Sequence, residues 1–254
     1  SLNVDMPVKK PISKKYKVPV LPTLMLMNFK GEELYRTVDF KEADELGKLL
    51  TNLQKQKLVP VAELEKKAAA GDDAARRQLG ELAFWGVNYE DAAKWLAPLN
   101  EQSLMLAISE VSFAEMKFAE DAAKNRDAFK AMLDKWLKVY PENIRATEWR
   151  ESLVKMQMGD KKEVPKDLQP LVKQNIEQYK QVLASKDIHQ VFVQGLTEDY
   201  GQFEKAQILT QLKDTYALLG DTKKVEETRK DLASEMDRLN LSEARPGEYL
   251  TAIY

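Results

Sequence analysis

Val18-Pro19-Val20-Leu21-Pro22-Thr23-Leu24-Met25-Leu26-Met27 is a short apolar run bounded by prolines and followed by Asn28-Phe29-Lys30-Gly31. Such a run predicts a buried strand that ends in a turn. Pro22 falls at the first residue of that strand, one of the few sheet positions that tolerate a missing N–H. Working outward, Lys30-Gly31 supplies the turn and Glu32 to Val38 a second strand, with Leu34, Arg36 and Val38 facing opposite to Tyr35 and Thr37. Two strands about a Gly-containing turn predict a hairpin. From about Lys41, Ala43, Leu46, Leu49, Leu50 and Leu53 recur at helical spacing.

Upstream of the run, Leu2-Asn3-Val4-Asp5 has a short strand pattern and Met6-Pro7 breaks it. Pro11 to Lys17 reads as a brief helical turn with Ile12 and Tyr16 on one face. This order of elements, strand, short helix, Pro-initiated strand, hairpin strand, helix, resembles the C-terminal half of the thioredoxin family. Leu2-Asn3-Val4-Asp5 is similar to that family's third strand. Lys14-Lys15-Tyr16-Lys17-Val18 is similar to its approach to the cis-proline, and Leu21-Pro22-Thr23-Leu24 to the cis-proline strand itself. Asn28-Phe29-Lys30-Gly31-Glu32 resembles its hairpin turn. The resemblance covers about the first fifth of the chain.

The resemblance implies a cis Leu21–Pro22 bond and a substrate-binding role for Leu21, Pro22 and Thr23. Leu21 would lend its backbone to a bound substrate as an added strand. It also implies a central strand with a Cys-x-x-Cys motif encoded before Ser1. Ser1 is read as a processing scar, with upstream sequence missing. Without the central strand, residues 2–5 and 23–28 lack a shared neighbour, and buried unpaired backbone groups cost about 1–3 kcal/mol each. Three outcomes follow: an absent N-terminal half, a partner chain that completes the sheet, or a different short α/β arrangement.

Leu58-Val59-Pro60 marks a boundary, and beyond it the sequence is almost wholly helical in pattern. Helix formers run from Val61 to Phe84, interrupted near Gly71-Asp72, where Asp72 or Asp73 can cap a new helix. Asn88 is a second N-cap candidate, with Glu90 and Asp91 in the following turn. Further helices are predicted over Gln102–Lys124, Arg126–Tyr140, Ile144–Met158, Leu168–Leu183, Ile188–Leu196, Gln202–Leu219 and from Asp221 to Met236. Gly159 to Pro165 reads as a charged linker, Gly220 as a helix C′ residue, and Asn240 to Tyr254 as irregular. Trp85 to Ala92, Leu137 to Asn143 and Tyr216 to Asp221 resemble segments of tetratricopeptide repeats, although the spacing is irregular. The fold expected is mostly α with a small α/β N-terminal part: residues 1–57 a partial thioredoxin-like domain, and 58–254 an α-solenoid or, alternatively, an irregular helical bundle.

Composition narrows the chemistry. The 254 residues carry 39 Lys+Arg against 41 Asp+Glu, a formal net charge of -2, which argues against broad nucleic-acid binding. No apolar stretch approaches the roughly 20 residues of a membrane span. Zero cysteines exclude disulfides, thiolate catalysis and cysteine metal sites within the chain. The single histidine, His189, cannot build a multi-histidine metal site and reads as structural or solvent-facing. Ser109, Ser112 and Ser152 have no histidine relay, and no glycine-rich phosphate loop is present. Glu226-Glu227 reads as a solvated helix face, Asn240-Leu241-Ser242 fits a glycosylation acceptor, and most of the aromatics recur as inter-helix core.

No catalytic residue, metal or cofactor is therefore expected. The expected partners are proteins or peptides. The resemblance implies a parent thiol–disulfide oxidoreductase, periplasmic or secreted, with its redox cysteines outside this chain. The alternative is a non-catalytic binding scaffold with a degenerate thioredoxin-like portion.

Overall fold

The computed structural model describes residues 15–16, 18, 22–38, 43–56, 58–100, 102–159, 161, 163–197 and 201–239. Among these the protein is mostly helical, with 11 α-helices and one two-stranded antiparallel sheet. The expected strand at residues 2–5, most of the turn at Pro11–Lys17 and the tail from Asn240 lie outside the described residues.

The sheet is the expected hairpin. Strand β1, Thr23–Met27, pairs antiparallel with β2, Glu33–Val38, in a register that sets Thr23 opposite Val38 and Leu26 opposite Tyr35. A register shift after Leu26 places Met27 opposite Glu33. The turn is built by Asn28, whose Oδ1 accepts from the Lys30 and Glu32 backbone N–H groups at 2.9 and 3.0 Å, while Gly31 takes a φ of 77°. Asn and Gly supply this geometry because an Asx side chain mimics a backbone turn and Gly carries no Cβ to clash at positive φ. Among the described residues, β1 has no neighbour on its other edge.

The backbone divides into two compact units, residues 1–126 and 127–254. In the first, the hairpin is followed by α1 (Ala43–Gln54), α2 (Val61–Ala69), α3 (Asp73–Trp85), α4 (Tyr89–Leu96), a 3-10 turn at Ala97–Leu99, and α5 (Leu104–Glu120). β2 packs on α2 and α3. Leu64 and Ala68 of α2 meet Ala75 and Leu79 of α3 in a buried cluster. Gly80 lets α3 approach α4 closely, because a Cβ there would run into the Leu96 side chain.

Helix α6 (Ala122–Val139) carries the division between the units. The second unit continues with α7 (Arg145–Met158), α8 (Gln169–Leu183), α9 (Ile188–Gln194), a 3-10 turn at Gly201–Phe203, α10 (Glu204–Leu218) and α11 (Thr222–Arg238). Its main core joins Ile144, Ile176, Tyr179, Val182, Phe192, Ile208, Leu212 and Tyr216. A second cluster holds Val154, Val164, Leu168 and Val172, so the expected charged linker at 159–165 buries Val164. One apolar side chain outweighed the polar composition around it.

The break before α6 also differs from the expectation of a helix through Lys124. Asp121 leaves helical geometry (φ -153°, ψ 89°), and its Oδ1 accepts from the Lys124 backbone N–H at 3.1 Å. Asn125 Nδ2 donates to the Lys117 and Asp121 carbonyls at 2.7 and 3.0 Å. These two side chains satisfy helix-end groups that would otherwise be orphaned.

One joint recurs. After α2, the Gly71 N–H donates to Ala68 O and the Asp72 N–H to Lys67 O; after α10, Gly220 and Asp221 repeat this with Ala217 and Tyr216. This paired closure is the Schellman motif, with glycine at the left-handed C′ residue. The residue after it caps the next helix: Asp72 accepts from Ala75 N, and Asp221 from Lys224 N. After α3 the same bonds form from Val87 to Phe84 O and Asn88 to Ala83 O, and Asn88 caps α4. After α9 they form from Leu196 to Val193 O and Thr197 to Phe192 O. In these last two joints the left-handed residue is Val87 (φ 55°) or Leu196 (φ 49°), and the glycine stands one position earlier.

Candidate functional site

The substrate-contact residues expected from the sequence are placed only in part. Leu21, and with it the Leu21–Pro22 peptide bond, lies outside the described residues. Pro22 is an exposed bend immediately before β1, rather than its first residue. Thr23 opens β1 half-buried, opposite Val38. Leu24 is 39% exposed, so β1 presents apolar side chains to solvent as well as inward.

The most developed polar constellation lies in the second unit, where the turn after α6 meets the faces of α7 and α8. Arg150 of α7 is only 5% exposed. Its Nη1 donates to Asn175 Oδ1 at 3.0 Å and Gln178 Oε1 at 2.8 Å, and its Nη2 donates to the Pro141 carbonyl. Asn175 Nδ2 donates to Thr147 O at 2.9 Å. Gln178 Nε2 donates to the Glu142 and Asn143 carbonyls at 2.8 and 2.7 Å. The network ties the 141–143 turn to two helices and satisfies buried polar groups that would each be costly alone. Local sequence explains the turn: Pro141 cannot continue α6, and Asn143 Oδ1 accepts from the Arg145 N–H at 3.0 Å at the start of α7.

Arg150 is a buried cation held by neutral acceptors. No carboxylate among the described residues forms an ion pair with it. Burial pushes its guanidinium below the ordinary value, and the nearby Glu142 charge works the other way. Burial likewise pushes the adjacent Tyr179 hydroxyl up to about 12, against a hydrogen bond with Thr147 that lowers it. Tyr179 therefore stays protonated at neutral pH.

A cleft of about 520 Å³ opens beside the network, lined by Pro141, Glu142, Arg150, Pro170, Lys173, Gln174, Glu177, Gln178 and Gln181. Lys173, Gln174, Glu177 and Gln181 are exposed on one side of α8. Glu177 is neutralised by Lys180 at 2.8 Å. The cleft is open, and its side chains offer hydrogen-bond donors and acceptors.

The remaining candidates are structural. Ser109 is fully buried and its Oγ donates to Met105 O at 2.7 Å. Glu226 and Glu227 pair on the surface with Arg229 and Lys224. His189 is bonded through Nδ1 to the buried Glu204 at 3.0 Å. Trp136 and Trp149 are buried as expected, whereas Trp85 is 51% exposed. Among the described residues no group of three or more His, Asp or Glu could hold a metal ion, and no helix is long and apolar enough to cross a membrane. Arg150 was missed in the sequence because its partners, Asn175 and Gln178, are neutral and lie 25 and 28 residues away. No family model, curated protein or solved structure matches the chain.

Proposed function

We propose that this chain is a protein-binding module: a tetratricopeptide-like helical scaffold preceded by the C-terminal part of a thioredoxin-like domain. The observation that carries the helical reading is the recurrent joint, in which a Schellman closure passes directly into an N-cap at Asp72, Asn88 and Asp221. Such joints make antiparallel helix pairs, the unit from which repeat scaffolds are stacked. The open cleft beside α8 supports recognition of an extended segment.

The order β1, β2, α1 supports the thioredoxin-like reading of the N-terminal part. In that reading Pro22 borders a redox pair encoded elsewhere, and the parent protein is an exported thiol–disulfide oxidoreductase. With no thiol of its own, this chain contributes binding rather than electron transfer. The alternative, a scaffold whose thioredoxin-like part is degenerate, differs only in the parent gene. Two cysteines two residues apart, about 40 residues before Pro22, favour the oxidoreductase.

The binding role is tested by displaying the full chain to an array of decapeptides and titrating the positives in solution. Saturable binding is expected, and its absence across the array would overturn the reading. Insulin reduction by the chain alone is expected to be nil, and turnover would overturn the assignment of the redox step to another segment.

A further inference from the structure

His189 is the only histidine of the chain and stands in the first turn of α9. Its Nδ1 lies 3.0 Å from Oε1 of Glu204, the first residue of α10, and its side chain is 49% exposed against 4% for Glu204. A buried carboxylate is ordinarily matched by a cation. Glu235 keeps that rule, bridged by Lys205 and Arg238. Glu204 instead meets an imidazole, which is mostly uncharged above its ordinary range near about pH 6.5. The charges on the elements packed against α9 are engaged or distant. On α8, Lys180 pairs with Glu177, and Lys173 stands about three turns before the helix end. On α10, Lys205 pairs with Glu235, and Lys213 lies beside Asp214. Arg145 of α7 donates to the Leu196 carbonyl and pairs with Glu148. Asp187 caps α9, and Lys186 is exposed. Glu198 and Asp199 lie outside the described residues.

We propose that His189 and Glu204 form a pH-sensitive clasp that seats α9 on α10. Proton uptake by the half-exposed imidazole turns a neutral hydrogen bond into a charge-assisted ion pair. The proton reaches it from solvent without opening the core. The first turn of α10 favours Glu204 as the anion, because the helix dipole is positive there. The folded chain therefore binds the histidine proton more tightly than the unfolded one. Such a raised affinity contributes stability that is fully present below the unfolded histidine range, about pH 6.5, and is lost as pH rises through the folded one. α9 is the element affected: it buries Phe192 in the main core and leaves Val193 47% exposed. Mild acid seats it more firmly, and alkali raises the population in which it lifts away. The clasp acts whatever the chain binds.

One histidine gives one imidazole signal, so proton NMR of the full chain reads the clasp directly. His189 is expected to bind its proton at least about threefold more tightly in the folded chain than in the same chain unfolded in urea. Glu204→Gln keeps the size of the side chain and removes its charge, and is expected to bring the folded affinity down to the unfolded one. The urea midpoint of the wild type is expected to rise as pH falls from about 8 to about 6, and His189→Gln, at an exposed position, to abolish that rise. Amide exchange in α9, corrected for its intrinsic rate, is expected to slow over the same interval in the wild type alone. A folded affinity equal to or below the unfolded one overturns the proposal. So does a raised affinity that Glu204→Gln leaves in place, which assigns the proton to another carboxylate. A pH-dependent midpoint retained by His189→Gln overturns it as well, and this variant decides the matter even if Glu204→Gln does not fold.

Discussion

The Cγ2 methyl of Ile144 occupies the space that a Cβ on Gly195 would need. This one contact explains why the joint after α9 has its glycine at the C-cap and a leucine, Leu196, at the left-handed position. Gly86 repeats the arrangement: a Cβ there would lie 2.9 Å from Arg36 Cδ, and Val87 takes the left-handed residue. In both joints packing claimed the glycine that the turn itself would have used.

Moving the strain out should therefore stabilise the protein. Val87→Asn and Leu196→Asn are expected to raise stability by about 1 kcal/mol each, since Asn tolerates left-handed geometry that costs other residues roughly that much. Gly195→Ala is expected to cost about 2 kcal/mol by overpacking against Ile144. Gly86→Ala is expected to cost less, because the Arg36 stem can shift. Urea denaturation of the four variants gives the comparison.

Arg150→Ala removes the centre of a buried network and leaves Asn175 Oδ1, Gln178 Oε1 and Pro141 O without their donor. A loss of about 3 kcal/mol is expected, measured by chemical denaturation. Asn175→Ala should couple strongly with it in a double-mutant cycle, because both residues belong to one network.

Glu235 is 3% exposed and is bridged by Arg238 at 2.5 Å and Lys205 at 2.8 Å. The Arg238 hydrogen bond, then that of Lys205, holds its carboxyl below the usual range against the opposing effect of burial. A depressed folded pKa contributes stability that is complete above the unfolded value and lost as pH falls through the folded one. Stability is expected to decline below about pH 4, the ordinary glutamate range. Glu235→Gln should flatten part of that decline and cost about 1–2 kcal/mol at neutral pH.

Tyr179 gives the opposite limb. Its hydroxyl is pushed to about 12 by burial, against an unfolded value near 10. The folded state then holds a proton that the unfolded state releases, so stability is complete below about pH 10 and falls above it. Tyr179→Phe is expected to remove that contribution. Absorbance at 295 nm should show one fewer late-titrating phenol.

Asp72→Ala and Asp221→Ala each delete an N-cap oxygen and are expected to cost about 1 kcal/mol. These caps were legible in the sequence because capping is decided within four residues: Asn88 and Asp221 cap as read, Asp72 rather than Asp73 caps the third helix, and Gly220 takes positive φ. The hairpin was legible for the same reason, through Asn28 and Gly31. The helix break at Asp121 was hidden because Ala-Glu-Asp-Ala-Ala-Lys is otherwise a run of good helix formers. The left-handed conformations of Val87 and Leu196 were hidden, although the joint before Asn88 was read, since their cause is a side chain from another part of the chain. The Arg150 cleft depends on neutral side chains brought together from separate helices, for which no local pattern exists.

The recurrent joint bears on the order of folding. At Asp72 and Asp221 the closure and the cap are each settled by residues within six positions of one another, so these helix pairs can form before anything distant arrives. Arg150 must instead wait for Asn175 and Gln178. Helix pairs are expected to acquire protection against hydrogen exchange early, and the 141–143 turn late.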